Sequence, residues 1–249
     1  RGIKSDARSA FETPFLIDPL VATKMLYVTH RVYRSINGGT SWTAISPDLT
    51  GGGIAAIRAL AQSPSDPNYV YVATNDGRVQ RSTNGGTSFT LVVTGNPGWP
   101  RVTRELFVHP TQPQTVYLAV AYFGQTHVQR SIDGGQTWVP LDANLPDVPV
   151  NVVAVDVRGA LPVIYAGADD GVYRSINDGG EWHRYAHGLP HAAVIDLRLE
   201  PASPRRRLIA CTQGRGAWSV PVCIPGDMND DGVVDGNDIS LFVERLLGG

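Results

Sequence analysis

Apolar and polar positions alternate along this chain in short runs, and the runs recur as sets of three. "FLIDP" (15–19), "LYVT" (26–29) and "VYRS" (32–35) form the first set. "LAQSP" (60–64), "VYVAT" (70–74) and "VQRS" (79–82) form the second. "LFVHP" (106–110), "VYLAV" (116–120) and "VQRS" (128–131) follow, then "VAVDV" (153–157), "VIYAG" (163–167) and "VYRS" (172–175). A fifth set reads "LRLEP" (197–201), "LIACT" (208–212) and "AWSV" (217–220). Short runs rich in Val, Tyr, Ile and Thr, bounded by Gly, Pro, Asn and Asp, predict strands.

An octad closes each of the first four sets: "SINGGTSW" (35–42), "STNGGTSF" (82–89), "SIDGGQTW" (131–138) and "SINDGGEW" (175–182). Their starts are 47, 49 and 44 residues apart. A repeat near 45 residues built of three or four strands predicts an all-β chain of β-propeller blades. One blade cannot bury both faces alone, so neighbours must stack. The period is too long for a leucine-rich horseshoe.

The octad explains itself as a turn between the third and fourth strands. Ser and Asn/Asp can bond the turn's own N–H groups, and the glycines supply positive φ. The closing aromatic can pack beneath. The positions are Ser35, Asn37, Gly39 and Trp42; Ser82, Asn84, Gly86 and Phe89; Ser131, Asp133, Gly135 and Trp138; and Ser175, Asn177, Gly179 and Trp182. Catalysis by the octads is a poor reading, because three of the four central positions are Asn, which is no general base or nucleophile. One neutral oxygen per turn also attracts calcium weakly.

These octads, in register over residues 13–222, resemble Asp-box (BNR) repeats of the sortilin, xyloglucanase and sialidase-like propeller superfamily. "WTAISPDLT" (42–50), "NLPDVPV" (144–150) and "GRGAW" (214–218) are similar to stretches of secreted bacterial proteins of that kind. The resemblance implies a β-propeller with the octads as structural turns on its rim. Propellers of the family usually have six to ten blades, so the chain is expected to be the C-terminal portion of a larger ring, the alternative being that it closes as five. No catalytic set of the family assembles from this sequence. "VTHRVYRS" (28–35) stands where a xyloglucanase acid would fall, without a carboxylate. Asp76, Asp169 and Asp170 occupy the same loop in later units and are the catalytic candidates, although Asp before Gly is an ordinary turn residue.

Strand order separates two faces. The 3–4 octads share one face with the 1–2 turns, and the 2–3 and 4–1 loops share the other. The second face carries the candidate ligand residues Trp99, Tyr122, Phe123, His127 and Arg215. Aromatic loops with few charges suit neutral polymers, carbohydrate or another cell-surface polymer. His183, His187 and His191 are spaced for one face of a helix, but they fall in a strand context and make a weak metal set.

Composition removes some partners. Net charge is −2 over 249 residues with no basic run, which argues against nucleic acid. No stretch of about 18 apolar residues predicts a membrane span. The chain opens on Arg without an apolar leader, so it is expected to be processed or part of a longer protein. Cys211 and Cys223 fit no zinc pattern, and a disulfide between them stays open.

After Pro225 the chain changes character. Residues 227–238 match the twelve-residue calcium loop, with Asp227, Asn229, Asp231, Val233 (through its carbonyl), Asp235 and Asp238 as ligands and Gly232 at the sharp turn. Ile239, Phe242, Val243, Leu246 and Leu247 then fall at helical spacing. The loop has no entering helix and resembles half of a dockerin. That resemblance implies calcium binding and a cohesin-like or surface-protein partner. Gly236-Asn237, however, differ from the usual recognition pair, and only one loop is present.

The sequence thus predicts two parts: propeller blades over 1–222 and a calcium loop with its helix over 223–249. It predicts a secreted or cell-surface binding protein, with a polysaccharide-degrading glycoside hydrolase as the alternative.

Overall fold

A computed structural model describes residues 2–3, 7–93, 103–159, 161–185, 188–200 and 206–222, with the single positions 236 and 239. The chain divides into two compact units, Arg1–Pro140 and Leu141–Gly249.

The first unit holds three antiparallel sheets, each in sequential strand order. Sheet 1 is β1 (Phe15–Ile17), β2 (Met25–Val28), β3 (Val32–Ser35) and β4 (Thr43–Ala44). Sheet 2 is β5 (Ile57–Gln62), β6 (Val70–Thr74), β7 (Val79–Ser82) and β8 (Thr90–Val93). Sheet 3 is β9 (Thr103–Val108), β10 (Val116–Val120), β11 (Val128–Ser131) and β12 (Val139–Pro140). The second unit holds sheet 4, β13 (Val150–Asp156), β14 (Val163–Ala168), β15 (Gly171–Ser175) and β16 (His183–Arg184). Its sheet 5 has three strands among the described residues: β17 (Val194–Leu199), β18 (Arg207–Thr212) and β19 (Gly216–Pro221).

Period-2 alternation explains how the sheets stack. On β6, Val70 and Val72 pack with Leu26, Val28 and Val32 of sheet 1. Tyr71 and Ala73, between them in sequence, pack with Leu106, Val108 and Leu118 of sheet 3. Successive side chains point to opposite faces of a strand, so a strand apolar at every position is buried on both. In the second unit Ala154, Tyr165 and Val172 of sheet 4 likewise pack with Leu197, Leu208 and Ala210 of sheet 5.

Polar bonds also join neighbouring sheets. Tyr71 Oη donates to the Pro113 carbonyl in the next sheet's 1–2 turn at 2.8 Å. Burial pushes the Tyr71 phenol up to about 12, so it stays a donor at any physiological pH. Arg34, at the end of β3, donates to the Gly85 carbonyl in the octad of sheet 2. Arg81 repeats the bond one sheet on, to the carbonyls of Asp133 at 3.1 Å and Gly134 at 3.2 Å. The Arg that precedes each octad and the Ser that opens it thus each have a use: the Ser folds its own turn, and in these two cases the Arg holds the next one.

Candidate functional site

The octads form the turns after the third strands, and their hydrogen bonds repeat from sheet to sheet. Ser35 Oγ donates to Asn37 Oδ1 at 2.9 Å and accepts the Gly39 N–H at 2.9 Å. Asn37 Oδ1 accepts the Ser41 N–H at 3.0 Å, and Asn37 Nδ2 donates to Ser41 Oγ at 2.9 Å. Ser82, Asn84 and Ser88 copy the set in sheet 2. In sheet 4, Asn177 Oδ1 accepts from Ser175 Oγ and from the Glu181 N–H. The first three octads are tied to the 1–2 turns of their own sheets. Gly38 N–H donates to the Thr23 carbonyl, Gly85 N–H to Asn68, and Gly134 N–H to Gln114. The side-chain oxygen of each of these central Asn residues is thus engaged within its own turn.

Asp133 is the one carboxylate at that central position. Burial raises its pKa, but hydrogen bonds from Thr137, Ser131 and Gln136 together outweigh this and hold it down to about 2. A depressed folded pKa contributes stability above the unfolded value, near 3.8, that is lost as pH falls through the folded value. Thermal melts from pH 5 to pH 2 are therefore expected to show a steeper acid loss in the wild type than in Asp133→Asn. Parallel curves would refute the assignment. At neutral pH the Asn variant is expected to stay close to wild type, because Asn37 and Asn84 already build the same turn.

Asp178 departs from the other octads. Its φ is 59°, and it is the non-glycine residue with positive φ among the described residues, where Gly38, Gly85 and Gly134 stand in the first three turns. The left-handed region costs a side-chain-bearing residue roughly 1 kcal/mol. Asp178→Gly is expected to raise stability by up to about 1 kcal/mol, read as a small increase in urea midpoint.

At the opposite ends of the sheets lie the 2–3 loops. In the first unit Tyr122 and Phe123, in the β10–β11 loop, are 54% and 60% exposed. Large aromatics left in water on a loop are suited to stacking against a ring. His127, expected beside them, is instead buried at 2% exposure, with Nδ1 3.5 Å from the Val120 carbonyl. It stands just before β11, where its carbonyl accepts the Val120 N–H at 2.9 Å. Arg215 is exposed in the β18–β19 turn, with its carbonyl accepting from Trp218 Nε1 at 2.8 Å. Trp99 lies outside the described residues.

The candidate acids are engaged in turns. Asp76 accepts from Thr74 Oγ1, from the Gly51 N–H at 2.7 Å and from Arg78 Nε at 3.2 Å. Burial raises its pKa, but Thr74, Gly51 and Arg78 together bring it below the usual carboxylate range. Asp169 accepts from Asn151 Nδ2 at 2.8 Å. Asp170 accepts from Tyr173 Oη at 2.8 Å and from Arg184 Nη1 at 3.2 Å. That bond and burial push the Tyr173 phenol up to about 12, burial being the larger cause. A general acid must keep its proton near neutral pH, and Asp76 is tuned the other way.

Among the described residues no group of three or more His, Cys, Asp or Glu is placed to hold a metal ion. His183 Nε2 lies 3.2 Å from Glu181 Oε1, His191 Nδ1 lies 2.8 Å from Arg184 Nη2, and His187 is outside the described residues. Cys211 is a half-buried free thiol, and Cys223 is outside the described residues. The calcium-loop ligands Asp227, Asn229, Asp231, Val233, Asp235 and Asp238 also lie outside them. Gly236 and Ile239 are helical and exposed. No helix among the described residues is long and apolar enough to cross a membrane.

One feature of this end of the sheets is invisible in the residue pattern. Four first strands carry a bulge at the same place. Arg58, Arg104, Asn151 and Ile195 each lack an opposite residue on the neighbouring strand. A bulge re-aims the side chain it frees, and bulges gather near functional sites. The sequence pattern starts these strands three residues late, at Leu60, Leu106, Val153 and Leu197, and leaves the bulged residues in the loops.

These stacked antiparallel sheets define a β-propeller fold. Solved structures agree. An ancestral GH74 enzyme matches with a TM-score of 0.64 at 19% identity, over 84% of this chain and 30% of that one. The GH74 xyloglucanase of Xanthomonas campestris matches with a TM-score of 0.58 at 22% identity, over 86% of this chain and 36% of that one. The extracellular domain of a protein described as a one-component system from B. thetaiotaomicron matches with a TM-score of 0.58 at 14% identity, over 80% and 26%. The chain spans about a third or less of the length of these neighbours. No protein-family model and no curated protein matches it.

Proposed function

We propose that this chain is the binding portion of a secreted β-propeller protein that takes carbohydrate, or another cell-surface polymer, on the loops opposite the octads. The observation that supports this most is the state of the carboxylates. Asp76, Asp169 and Asp170 each accept bonds from their own turn or a neighbouring strand. Exposed Tyr122 and Phe123 offer ring surface on the same kind of loop. In this reading the octads are Asp-box turns. Residues 227–238 bind calcium and dock, as half a dockerin does, to a cohesin-like or surface protein.

A glycoside hydrolase is the second reading, favoured by the fold likeness to two GH74 proteins. A glycan array run beside a hydrolysis assay on the same sugars separates the two. Retention without product supports the binding reading. Product release that disappears in Asp76→Asn or in Asp169→Asn/Asp170→Asn would sink it. For the tail, a calcium titration followed by circular dichroism is expected to show added helix, abolished by Asp227→Ala with Asp231→Ala. A flat titration would remove calcium from the account.

A further inference from the structure

The bulged positions differ in charge between the two units. In the second unit they are neutral: Asn151 is 8% exposed and bonded to Asp169, and Ile195 is apolar. In the first unit both are arginines, Arg58 on β5 and Arg104 on β9. The bulge at Arg58 can be read in the packing. Ile57 faces sheet 1 and Ala59 faces sheet 3, although residues two apart in a regular strand share a face. The extra residue therefore leaves the ladder, and Arg58 leaves with it.

β5 and β9 pack in one cluster, through Ala59 and Ala61 on one and Leu106 and Val108 on the other, and this brings Arg104 near enough to disfavour the Arg58 charge. Burial first, and Arg104 second, lower the Arg58 pKa, while Glu12 raises it. Glu12 pairs with Arg104, Oε2 to Nη2 at 2.7 Å, and is itself 63% exposed on its side chain. Arg58 is half-buried and meets no hydrogen-bond acceptor among the described residues. Two partly buried cations therefore share one exposed carboxylate. Packing gives no reason for this, since like charges side by side destabilise a fold.

The two bulges also stand at the same end of their sheets as the 2–3 loops. The entry to β5 is fastened to the β6–β7 loop, with the Ala56 N–H donating to Asn75 Oδ1 at 3.0 Å and the Asn75 N–H to the Ala56 carbonyl at 3.0 Å. Arg104 lies at the bulge opposite Ala119 and Val120, the residues that lead into the loop with Tyr122 and Phe123. A guanidinium fork matches a carboxylate through two parallel N–H···O bonds.

We propose that Arg58 and Arg104 form a subsite for the carboxylate of an acidic saccharide, a uronic acid unit, with Glu12 holding Arg104 in place when the subsite is empty. This rests on the carbohydrate reading above and narrows it from neutral to carboxylate-bearing polymers.

The test is calorimetric titration of the purified chain with trigalacturonic acid, cellotriose and sodium sulfate. Wild type, Arg58→Gln, Arg58→Lys and Glu12→Gln are compared, with circular dichroism confirming that each folds. A charged hydrogen bond contributes roughly a tenfold or greater change in affinity. Arg58→Gln is thus expected to weaken trigalacturonate by about tenfold or more. Arg58→Lys is expected to recover part of the loss, and Glu12→Gln to tighten binding. Trigalacturonate binding absent in the wild type, or unchanged in Arg58→Gln, overturns the proposal. So does sulfate binding as tightly as the uronide, which would make the pair a simple anion site. Cellotriose judges the broader reading separately. If it binds while trigalacturonate does not, the subsite falls and the carbohydrate reading stands. If neither these sugars nor any glycan on the array binds, both fall.

Discussion

Asp156→Ala is expected to lower the melting temperature by about 6–12 °C, taking about 3 kcal/mol at roughly 2–4 °C per kcal/mol for a chain of this size. Asp156 ends β13 and is 4% exposed on its side chain. Its Oδ2 accepts Arg158 Nη2 at 2.7 Å, and its Oδ1 accepts Arg158 Nε at 3.0 Å and Arg206 Nη1 at 3.2 Å. Arg206 stands just before β18, so one carboxylate ties sheet 4 to sheet 5. Removing it takes the shared carboxylate from two guanidiniums that are 19% and 20% exposed. Breaking a buried pair from one side costs about 3–5 kcal/mol, and the partial exposure of both arginines places this case at the lower end. Differential scanning calorimetry reads the effect. A shift under about 2 °C, less than 1 kcal/mol, would show that water takes over the role of Asp156.

Gly179→Ala is expected to destabilise by about 2–5 kcal/mol, from left-handed strain and overpacking together. Gly179 has φ +85°, and a Cβ there would lie 2.7 Å from Leu141 Cβ and 2.8 Å from the Leu141 carbonyl oxygen. Backbone cannot step aside as a side-chain tip can. The segment is pinned further, because Trp182 Nε1 donates to that carbonyl at 2.7 Å and the Trp182 N–H to Asn144 Oδ1 at 2.7 Å. Gly38→Ala is the matched control. Its φ is +64° but nothing lies within 4 Å of the added Cβ, so only about 1–2 kcal/mol of conformational strain applies. Urea unfolding of the two variants separates packing from strain. Equal losses would show that Leu141 yields and that the octad's second glycine answers to φ alone.

The octad turns were legible because their Ser, Asn or Asp, and Gly positions bond within the turn itself. A Ser two residues before Asn or Asp, then Gly, folds the same turn wherever it occurs, and the hydrogen bonds of Asn37 and Asn84 are nearly superimposable in their lengths. The third strands were legible for the same reason, since "VYRS" and "VQRS" abut the turn. The first strands were read late. A bulge inserts one residue and flips the alternation, so period-2 reasoning recovers the pattern only after it, at Leu60 and Leu106. Arg58 and Arg104 were lost with the strand ends. His127 looked like a loop residue, yet loop closure between Val120 and Val128 buries it, which composition cannot foretell. Asp76 and Asp170 looked like free acids, but their partners Gly51 and Arg184 are 25 and 14 residues away in the chain.

The proposed function divides the labour between the two ends of the sheets: octads hold the fold, and the opposite loops take the ligand. Affinity electrophoresis on polysaccharide gels tests it directly, with Tyr122→Ala/Phe123→Ala run beside Asn84→Ala. The loop variant is predicted to lose retardation severalfold at unchanged melting temperature, and the octad variant to keep full retardation while melting earlier. Retardation lost in Asn84→Ala and kept in the loop variant would contradict the claim.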